Sequence, residues 1–226
     1  MADRQTLLLL CGIGEDEAIW TLVADALAAS ADCHALVPRG DGIEPMALDV
    51  LARFGGPIAV AGHSLGGYVA MAMQRAAPAR ITRIALLNSS ARPEDEAARS
   101  ARLAAIDRIG AIGFVPVARR MAAALAALPT AIDPAAMLLR GGAERFVREQ
   151  HAAIGRPDAR TGLAGLAIPL LVVGGGQDRI VPPDRSVEIA AAVPHADLVL
   201  LPDCGHLSPV EAPDAVITAM RGWLAR

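Results

Sequence analysis

Short apolar runs alternate with longer stretches of helical periodicity along most of this 226-residue chain. Each run is apolar at consecutive positions rather than at every second one, as expected for strands that are covered on both faces. Strands of this kind that alternate with helices are typical of parallel β–α units. The pattern predicts an α/β fold with a mostly parallel sheet of about six strands flanked by helices. The predicted strands are Thr6–Cys11, Cys33–Val37, Ile58–Ala61, Ile81–Leu87, Leu170–Gly174 and Asp197–Leu201.

Helical periodicity fills most of the chain between these strands, and Pro and Gly mark the joints. The predicted helices are Ala18–Ser30, Ile43–Phe54, Gly66–Ala77, Asp184–Ala192 and Pro213–Ala225.

The segment 92–166 interrupts this alternation. It contains several charged helical stretches but no strand pattern, and breaks fall at Gly110–Gly113, Pro129 and Gly141–Gly142. We interpret it as a helical cap inserted into a core made of residues 1–91 and 167–226. The alternative is a set of additional packing helices with no role at a site.

Charge and length exclude several classes of protein. The formal net charge is only -3, with both signs scattered along the chain, so the composition predicts no nucleic-acid partner. The apolar runs are far shorter than the roughly 20 residues of a membrane span, so no membrane association is expected. The first run, in "MADRQTLLLL", is interpreted as a core strand rather than a signal peptide.

Three cysteines, Cys11, Cys33 and Cys204, occur without CxxC spacing. An odd number without this spacing argues against a disulfide framework or a zinc site. We therefore expect packing roles for Cys11 and Cys204 and a reducing, cytoplasmic location.

The sequence "IAVAGHSLGGYVAMAM" contains Gly62-His63-Ser64-Leu65-Gly66, a G-x-S-x-G pattern between a strand and a helix. This is the context of a nucleophile elbow, in which a sharp turn presents the serine hydroxyl. Ser64 is the candidate nucleophile. The alternative is a serine that only caps the helix in an ordinary β–α turn.

A serine hydroxyl needs a base, and the base needs an acid to orient it. His206 follows the last predicted strand in "LLPDCGHLSP", and Asp178 follows another buried strand in "LLVVGGGQD". His63 is expected to point away from the reacting side of Ser64, and Asp184 to cap a helix. The other histidines, His34, His151 and His195, are placed in a strand, in the insertion and in a turn.

With these motifs in the order Ser64, Asp178, His206, the chain resembles the α/β-hydrolase family, closest to its small-capped bacterial serine esterase-like members. The matching motifs are "GHSLGG", "GGGQDRIVPP" and "CGHLSPVEAP", and the resemblance covers nearly the whole chain. It implies a serine hydrolase without a cofactor or a metal. The early position of the first strand suggests that the two initial strands usual in the family are missing.

The resemblance also places the early stretch "LLLLCGIGED". It implies an oxyanion hole formed by the backbone N–H groups of Ile13 and Leu65. Members usually carry His-Gly where this chain has Cys11-Gly12, and a thiol cannot match the hydrogen bonds of that histidine. A phosphate-binding loop is excluded here because no Lys follows, and a dinucleotide fingerprint because Glu17 stands where a third glycine is required.

The expected activity is the hydrolysis of small to medium carboxylic esters through a Ser-His-Asp triad and an acyl-enzyme. The expected partner is a small-molecule ester, and the protein is expected to be a monomer or a homodimer. Candidate cap-lining residues are Met121, Leu125, Met137, Leu138 and Phe146.

Two alternatives stay open. The first is a carbon–carbon bond hydrolase, or a lyase of the menaquinone-pathway type, acting on an acidic substrate with the same triad. It would use arginines of the insertion, for which the candidates are Arg119, Arg120, Arg145 and Arg148. The second is a non-catalytic binding module on the same fold, since a fold does not fix a function.

Overall fold

A computed structural model describes residues 4–226, which form one six-stranded sheet with helices on both faces. All neighbouring strands pair in parallel, in the order β2-β1-β3-β4-β5-β6. The strands are β1 (Gln5–Leu10), β2 (Ala31–Leu36), β3 (Ile58–His63), β4 (Ile81–Leu87), β5 (Leu170–Gly175) and β6 (Asp197–Leu201). The predicted α/β fold is confirmed.

A short 3-10 helix, Glu17–Trp20, precedes ten α-helices in the described chain. The helices are α1 (Thr21–Leu27), α2 (Ile43–Arg53), α3 (Leu65–Ala76), α4 (Glu96–Ile112), α5 (Phe114–Leu125), α6 (Pro134–Ile154), α7 (Arg160–Leu163), α8 (Asp184–Ala191), α9 (Ser208–Glu211) and α10 (Pro213–Leu224).

The run Leu7–Leu10 shows why consecutive apolar residues predict a central parallel strand. All four leucines are fully buried. Leu8 and Leu10 pack into the core on one face of the sheet, and Leu7 and Leu9 into the core on the other face. Because side chains alternate across a strand, only a strand with helices on both sides can bury such a run.

The first predicted helix and the second predicted strand need correction. The predicted helix Ala18–Ser30 is a 3-10 turn followed by α1, which ends at Leu27. The Asp16 carboxylate accepts the Ala18 N–H, so the tight turn begins at Glu17. Strand β2 starts at Ala31 because backbone pairing with β1 extends beyond the apolar run, which the apolar pattern cannot reveal.

The segment 92–166 lies between β4 and β5 and contains helices α4 to α7, with no strand. Helix α4 has no buried residue, whereas α5 and α6 bury Val117, Leu138 and Phe146, among others. The segment therefore packs through α5 and α6 and leaves α4 at the surface. Between residues 4 and 226, no helix combines the length and apolar character needed to cross a bilayer.

Candidate active site

Ser64 lies at the turn from β3 to α3 with φ 53° and ψ -116°. A positive φ is rare for a residue with a side chain, and such strain is found mainly at functional sites. The flanking glycines allow the turn: a Cβ at Gly66 would clash with the Leu10 carbonyl, and one at Gly62 with the backbone of Gly66. The backbone thus forces the Ser64 side chain out at the carboxyl edge of the sheet.

His206 lies beside Asp178 at the same edge. The two follow β6 and β5, and Nδ1 of His206 is 2.8 Å from Oδ2 of Asp178. Oδ1 of Asp178 accepts the N–H groups of Ile180 and Val181, at 2.8 and 2.9 Å. Burial opposes ionisation, but His206 and the hydrogen bonds outweigh it and lower the pKa of Asp178. The carboxylate is therefore held charged against the imidazole.

Asn88 is a site residue that we did not predict. It follows β4, has φ 48°, and donates from Nδ2 to Oδ2 of Asp178 at 2.9 Å and to the Gly205 carbonyl at 3.0 Å. Its side chain thus ties the acid to the loop before His206. A polar residue directly after a buried strand, in "IALLNSS", was the available signal.

Ser89, the next residue, supports the turn that carries Ser64. Its hydroxyl donates to the Ser64 carbonyl at 2.9 Å, and its side chain occupies the space that a Cβ at Gly67 would need.

The backbone N–H groups of Ile13 and Leu65 donate to no acceptor within residues 4–226. Leu65 is the first residue of α3, where an N–H has no partner inside the helix. Ile13 lies between two paired neighbours, because the N–H groups of Gly12 and Gly14 both donate to carboxylates. Two unpaired donors are therefore available: Ile13 borders the same cavity as Ser64, and Leu65 directly follows Ser64 in the chain.

Ser64 and His206 line a cavity of about 230 Å³ at the edge of the sheet. Its wall is mostly apolar, formed by Ile13, Ala98, Ala101, Ala105, Met121, Leu125 and Ile180, with Glu15, Arg102, Gln150 and Arg179 as its other polar residues. No hydrogen bond joins the Ser64 hydroxyl to the His206 ring in the described chain. Loose hydrogen bonds of this kind are common in ligand-free sites.

The segment 92–166 contributes helices α4, α5 and α6 to this cavity. Of the five residues proposed to line it, Met121 and Leu125 do so, whereas Met137, Leu138 and Phe146 are fully buried elsewhere. Apolar periodicity marks the buried face of a helix but does not distinguish a cavity wall from a packed core.

None of the four arginines named for an acidic substrate borders the cavity of Ser64. Arg145 and Arg148 line a second cavity of about 520 Å³, together with Arg39 and Arg140. The cations that do border Ser64 are Arg102 and Arg179. Arg102 contacts Glu94 and donates to Gln150 Oε1 at 2.6 Å, whereas Arg179 has no ion pair within residues 4–226.

The remaining histidines lie outside this cavity. His34 in β2 contacts Asp32, His195 contacts the Ile168 carbonyl, and His151 lies in α6. Asp184 does not cap α8 as expected: Pro183 holds the cap position, and the exposed Asp184 is the first helical residue. A carboxylate there still favours the helix by its charge.

His63 points away from the cavity and is fully buried. Its Nε2 contacts the His206 carbonyl at 2.7 Å, and its Nδ1 lies 2.7 Å from Oε1 of Glu15, although that ring N–H is not aligned for a hydrogen bond. Burial favours the neutral ring, but Glu15 and the His206 carbonyl outweigh it and raise the pKa of His63. Both ring nitrogens face oxygen acceptors, which favours the doubly protonated ring.

Neither buried thiol is poised to react. Burial raises the pKa of Cys204 to about 12 and that of Cys11 well above its usual range, so both stay protonated near neutral pH.

Within residues 4–226 no group of three His, Cys, Asp or Glu side chains is arranged to hold a metal ion.

Glu149, on α6, is the second carboxyl group beside Ile13, after Glu15. It is 1% exposed, and its Oε2 accepts the Gly14 N–H at 2.6 Å. Burial raises the pKa of Glu149 to about 7, against the opposing effects of the Gly14 N–H and Arg145. This carboxyl group therefore changes charge near neutral pH.

The Glu149→Gln variant should change how stability depends on pH. The unfolded chain releases the Glu149 proton near pH 4.5 and the folded chain near pH 7, so the folded state binds more protons between these values. Glu149 therefore contributes to the free energy of unfolding below about pH 4.5, and this contribution is lost as pH rises to about 7. The loss amounts to roughly 3 kcal/mol. Urea unfolding of both proteins at several pH values measures the difference. If the difference in free energy of unfolding between the two proteins does not change with pH, the raised pKa of Glu149 is contradicted.

Comparison with known proteins agrees with this fold. Residues 7–219 match the model of the alpha/beta hydrolase family. The curated protein "Putative carbamate hydrolase RutD" of Variovorax paradoxus is 29% identical over 100% of this chain and 93% of its own length. A thermophilic esterase from Thermogutta terrifontis is 26% identical, with a TM-score of 0.85 over 99% of this chain and 90% of its own.

The enol-lactonase of Burkholderia xenovorans has the same fold, with a TM-score of 0.87 at 22% identity over 100% of this chain and 93% of its own. The family match covers nearly all of the described residues, and the sheet order and the serine turn agree with it. The protein is a hydrolase, and the chain belongs to the alpha/beta hydrolase family.

Proposed function

We propose that the protein cleaves carboxylic esters of small to medium size through a Ser64 acyl-enzyme. One observation supports this most directly: Ser64, the Asp178-bound His206 and Ile13, whose N–H is unpaired, line one mostly apolar cavity, and Leu65, with the second unpaired N–H, directly follows Ser64. Nucleophile, base, acid and oxyanion donors are the four parts that acyl transfer by a serine requires.

In the first half-reaction, His206 Nε2 takes the Ser64 proton as Oγ bonds to the ester carbonyl carbon. The carbonyl oxygen becomes an anion and is stabilised by the N–H groups of Ile13 and Leu65. The bond to the alcohol oxygen then breaks, and His206 returns its proton to that oxygen. Asp178 stabilises the imidazolium and fixes the tautomer through Nδ1.

In the second half-reaction, a water gives its proton to His206 and bonds through oxygen to the acyl carbon. The bond between Ser64 Oγ and the acyl carbon breaks, and His206 returns the proton to Ser64. The acid is released and the enzyme is restored. No metal or cofactor is needed in this sequence.

The cavity supports a limit on substrate size. Its volume of about 230 Å³ lies below the range of roughly 300–1,000 Å³ of pockets for drug-sized ligands. Apolar side chains form most of its wall, which favours an uncharged acyl or alcohol group. We propose that helices α4, α5 and α6 act as the cap that closes this cavity over residues of the core.

A second candidate is the hydrolysis of a carbon–carbon bond, or a lyase reaction, on an acidic substrate. It is favoured by Arg102 and Arg179, which border the cavity although they were not the arginines named for this role. Either guanidinium could bind a substrate carboxylate.

A substrate panel separates these candidates. It contains nitrophenyl esters of increasing acyl length, the nitrophenyl ester of succinic acid, a nitrophenyl carbamate and an acidic dienone. The carbamate is included because the RutD relatives are named for that class. We expect the best turnover for short neutral esters. Strong turnover of the dienone alone would favour the second candidate.

A further inference from the structure

The peptide groups on both sides of the Gly12–Ile13 peptide are held by buried carboxyl groups. The Gly12 N–H donates to Oε2 of Glu15 at 2.5 Å, and the Gly14 N–H to Oε2 of Glu149 at 2.6 Å. Glu15 is 2% exposed and Glu149 1%. The N–H between them, that of Ile13, is left without an acceptor in the described chain.

The direction of the Ile13 N–H is also fixed by its own peptide group. The Gly12 carbonyl accepts the Glu15 N–H at 3.3 Å. Because a peptide is planar and trans, its C=O and N–H point in opposite directions. Holding the Gly12 carbonyl toward Glu15 therefore turns the Ile13 N–H to the other side.

Glu15 connects this loop to the histidine loop. Its carboxylate packs against Gly12, where an added Cβ would lie 2.9 Å from it. Its Oε1 contacts His63, whose other nitrogen contacts the His206 carbonyl. One buried chain of contacts thus runs from the Ile13 peptide to the backbone of His206.

Glu149 connects the same loop to the helical segment. It lies on α6, 135 residues along the chain from Gly14. Gly14 has φ 70°, and a Cβ there would clash with Leu138, which lies on α6 before its kink at Gly142. Helix α6 therefore packs directly on the loop, and the hydrogen bond from the Gly14 N–H to Glu149 fixes the orientation of the loop at Gly14.

We propose that Glu15 and Glu149 are positioning residues that aim the Ile13 N–H into the oxyanion hole. This rests on the proposed function. Glu15 anchors the peptide of Ile13 from within the loop, and Glu149 anchors it from α6. Cys11 cannot provide this anchoring, because its side chain is buried in the core. Neither carboxyl group reacts; each acts through the backbone.

The test uses Glu149→Met, which removes the acceptor but keeps a flexible side chain of similar length, and Glu149→Gln, which keeps an acceptor oxygen. Glu144→Met is the control on the same helix, since the Glu144 side chain is 98% exposed. Glu15→Met tests the other side of Ile13 without changing α6. Circular dichroism and thermal unfolding establish that each variant is folded.

Two rates are measured: labelling of Ser64 by a fluorophosphonate, whose phosphoryl oxygen gains negative charge in the same hole as Ser64 displaces fluoride, and kcat with a nitrophenyl ester. Because a hole donor acts mainly in the transition state, Glu149→Met and Glu15→Met should lower both rates on the order of 10- to 100-fold. KM should change by less than about threefold, and Glu149→Gln and Glu144→Met should stay near wild type.

Rates within about twofold of wild type in folded Glu149→Met would overturn the proposal. So would a Glu149→Gln variant as slow as Glu149→Met, because the lost acceptor would then not be the cause. If the wild type labels at Ser64 but turns over no ester, the proposed function fails, and the labelling rates of the variants still decide the positioning role.

Discussion

Ser64→Ala is expected to lower kcat/KM for a nitrophenyl ester by at least about 10⁴-fold, because the proposed acyl-enzyme forms on the Ser64 hydroxyl. Alanine lacks the oxygen that bonds to the carbonyl carbon. The fold should persist, since the Ser64 side chain makes no hydrogen bond that holds the turn. Steady-state assays at matched protein concentrations measure the loss.

Ser90→Ala is the matched control for this variant. Ser90 is also buried, and its hydroxyl accepts the Arg92 N–H at 3.1 Å outside the cavity of Ser64. It should keep kcat/KM within about threefold of wild type, as expected for a serine that touches no substrate. Equal losses in both variants would mean that the assay reports damage to the fold instead of the loss of a nucleophile.

Asp178→Asn has the second largest expected effect, a fall in kcat on the order of 10³–10⁴. The amide removes the charge that stabilises the imidazolium, and its NH2 group can leave His206 in the wrong tautomer. The remaining amide oxygen can still accept the N–H groups of Ile180 and Val181, so the loop should stay folded. Thermal unfolding and kcat are measured on the same samples.

Asp184→Asn provides the comparison, because Asp184 lies six residues along and its side chain is 61% exposed. We expect near wild-type kcat for this variant. A folded Asp178→Asn protein with kcat within about tenfold of wild type would remove Asp178 from the triad.

The sheet could be predicted because its signals are local. Four consecutive leucines, Leu7–Leu10, can be buried only where both faces of a strand are covered, and the structure buries all four. The ends of strands and helices were less predictable. The first residues of β2 pair with β1 although Asp32 is polar and exposed, because pairing is set by the neighbouring strand.

In the candidate site, too, some residues could be predicted from the sequence and others could not. Ser64 and Asp178 each follow a buried strand and His206 follows the edge strand β6, and the carboxyl ends of parallel strands meet at one edge of the sheet. The sequence pattern therefore predicted that these three residues lie close together. Glu149 carries no such signal, since a glutamate on a charged helix is usually solvated, and only the packing of α6 on Gly14 makes it a partner of the loop.

The cavity wall was the least predictable part. Leu138 and Phe146 on α6 are apolar residues of a helical stretch, as Met121 and Leu125 on α5 are, yet only the last two border the cavity of Ser64. Which apolar side chain faces a cavity depends on how α5 and α6 cross, and that is decided by tertiary packing.

The most direct test of the account is to treat the folded protein with a fluorophosphonate and map the modified residue by peptide mass spectrometry. The account predicts one modification, on the peptide that contains Ser64, and its complete loss in Ser64→Ala. A folded wild-type protein that is not modified, or a modification that persists in Ser64→Ala, would contradict the assignment of Ser64 as the nucleophile.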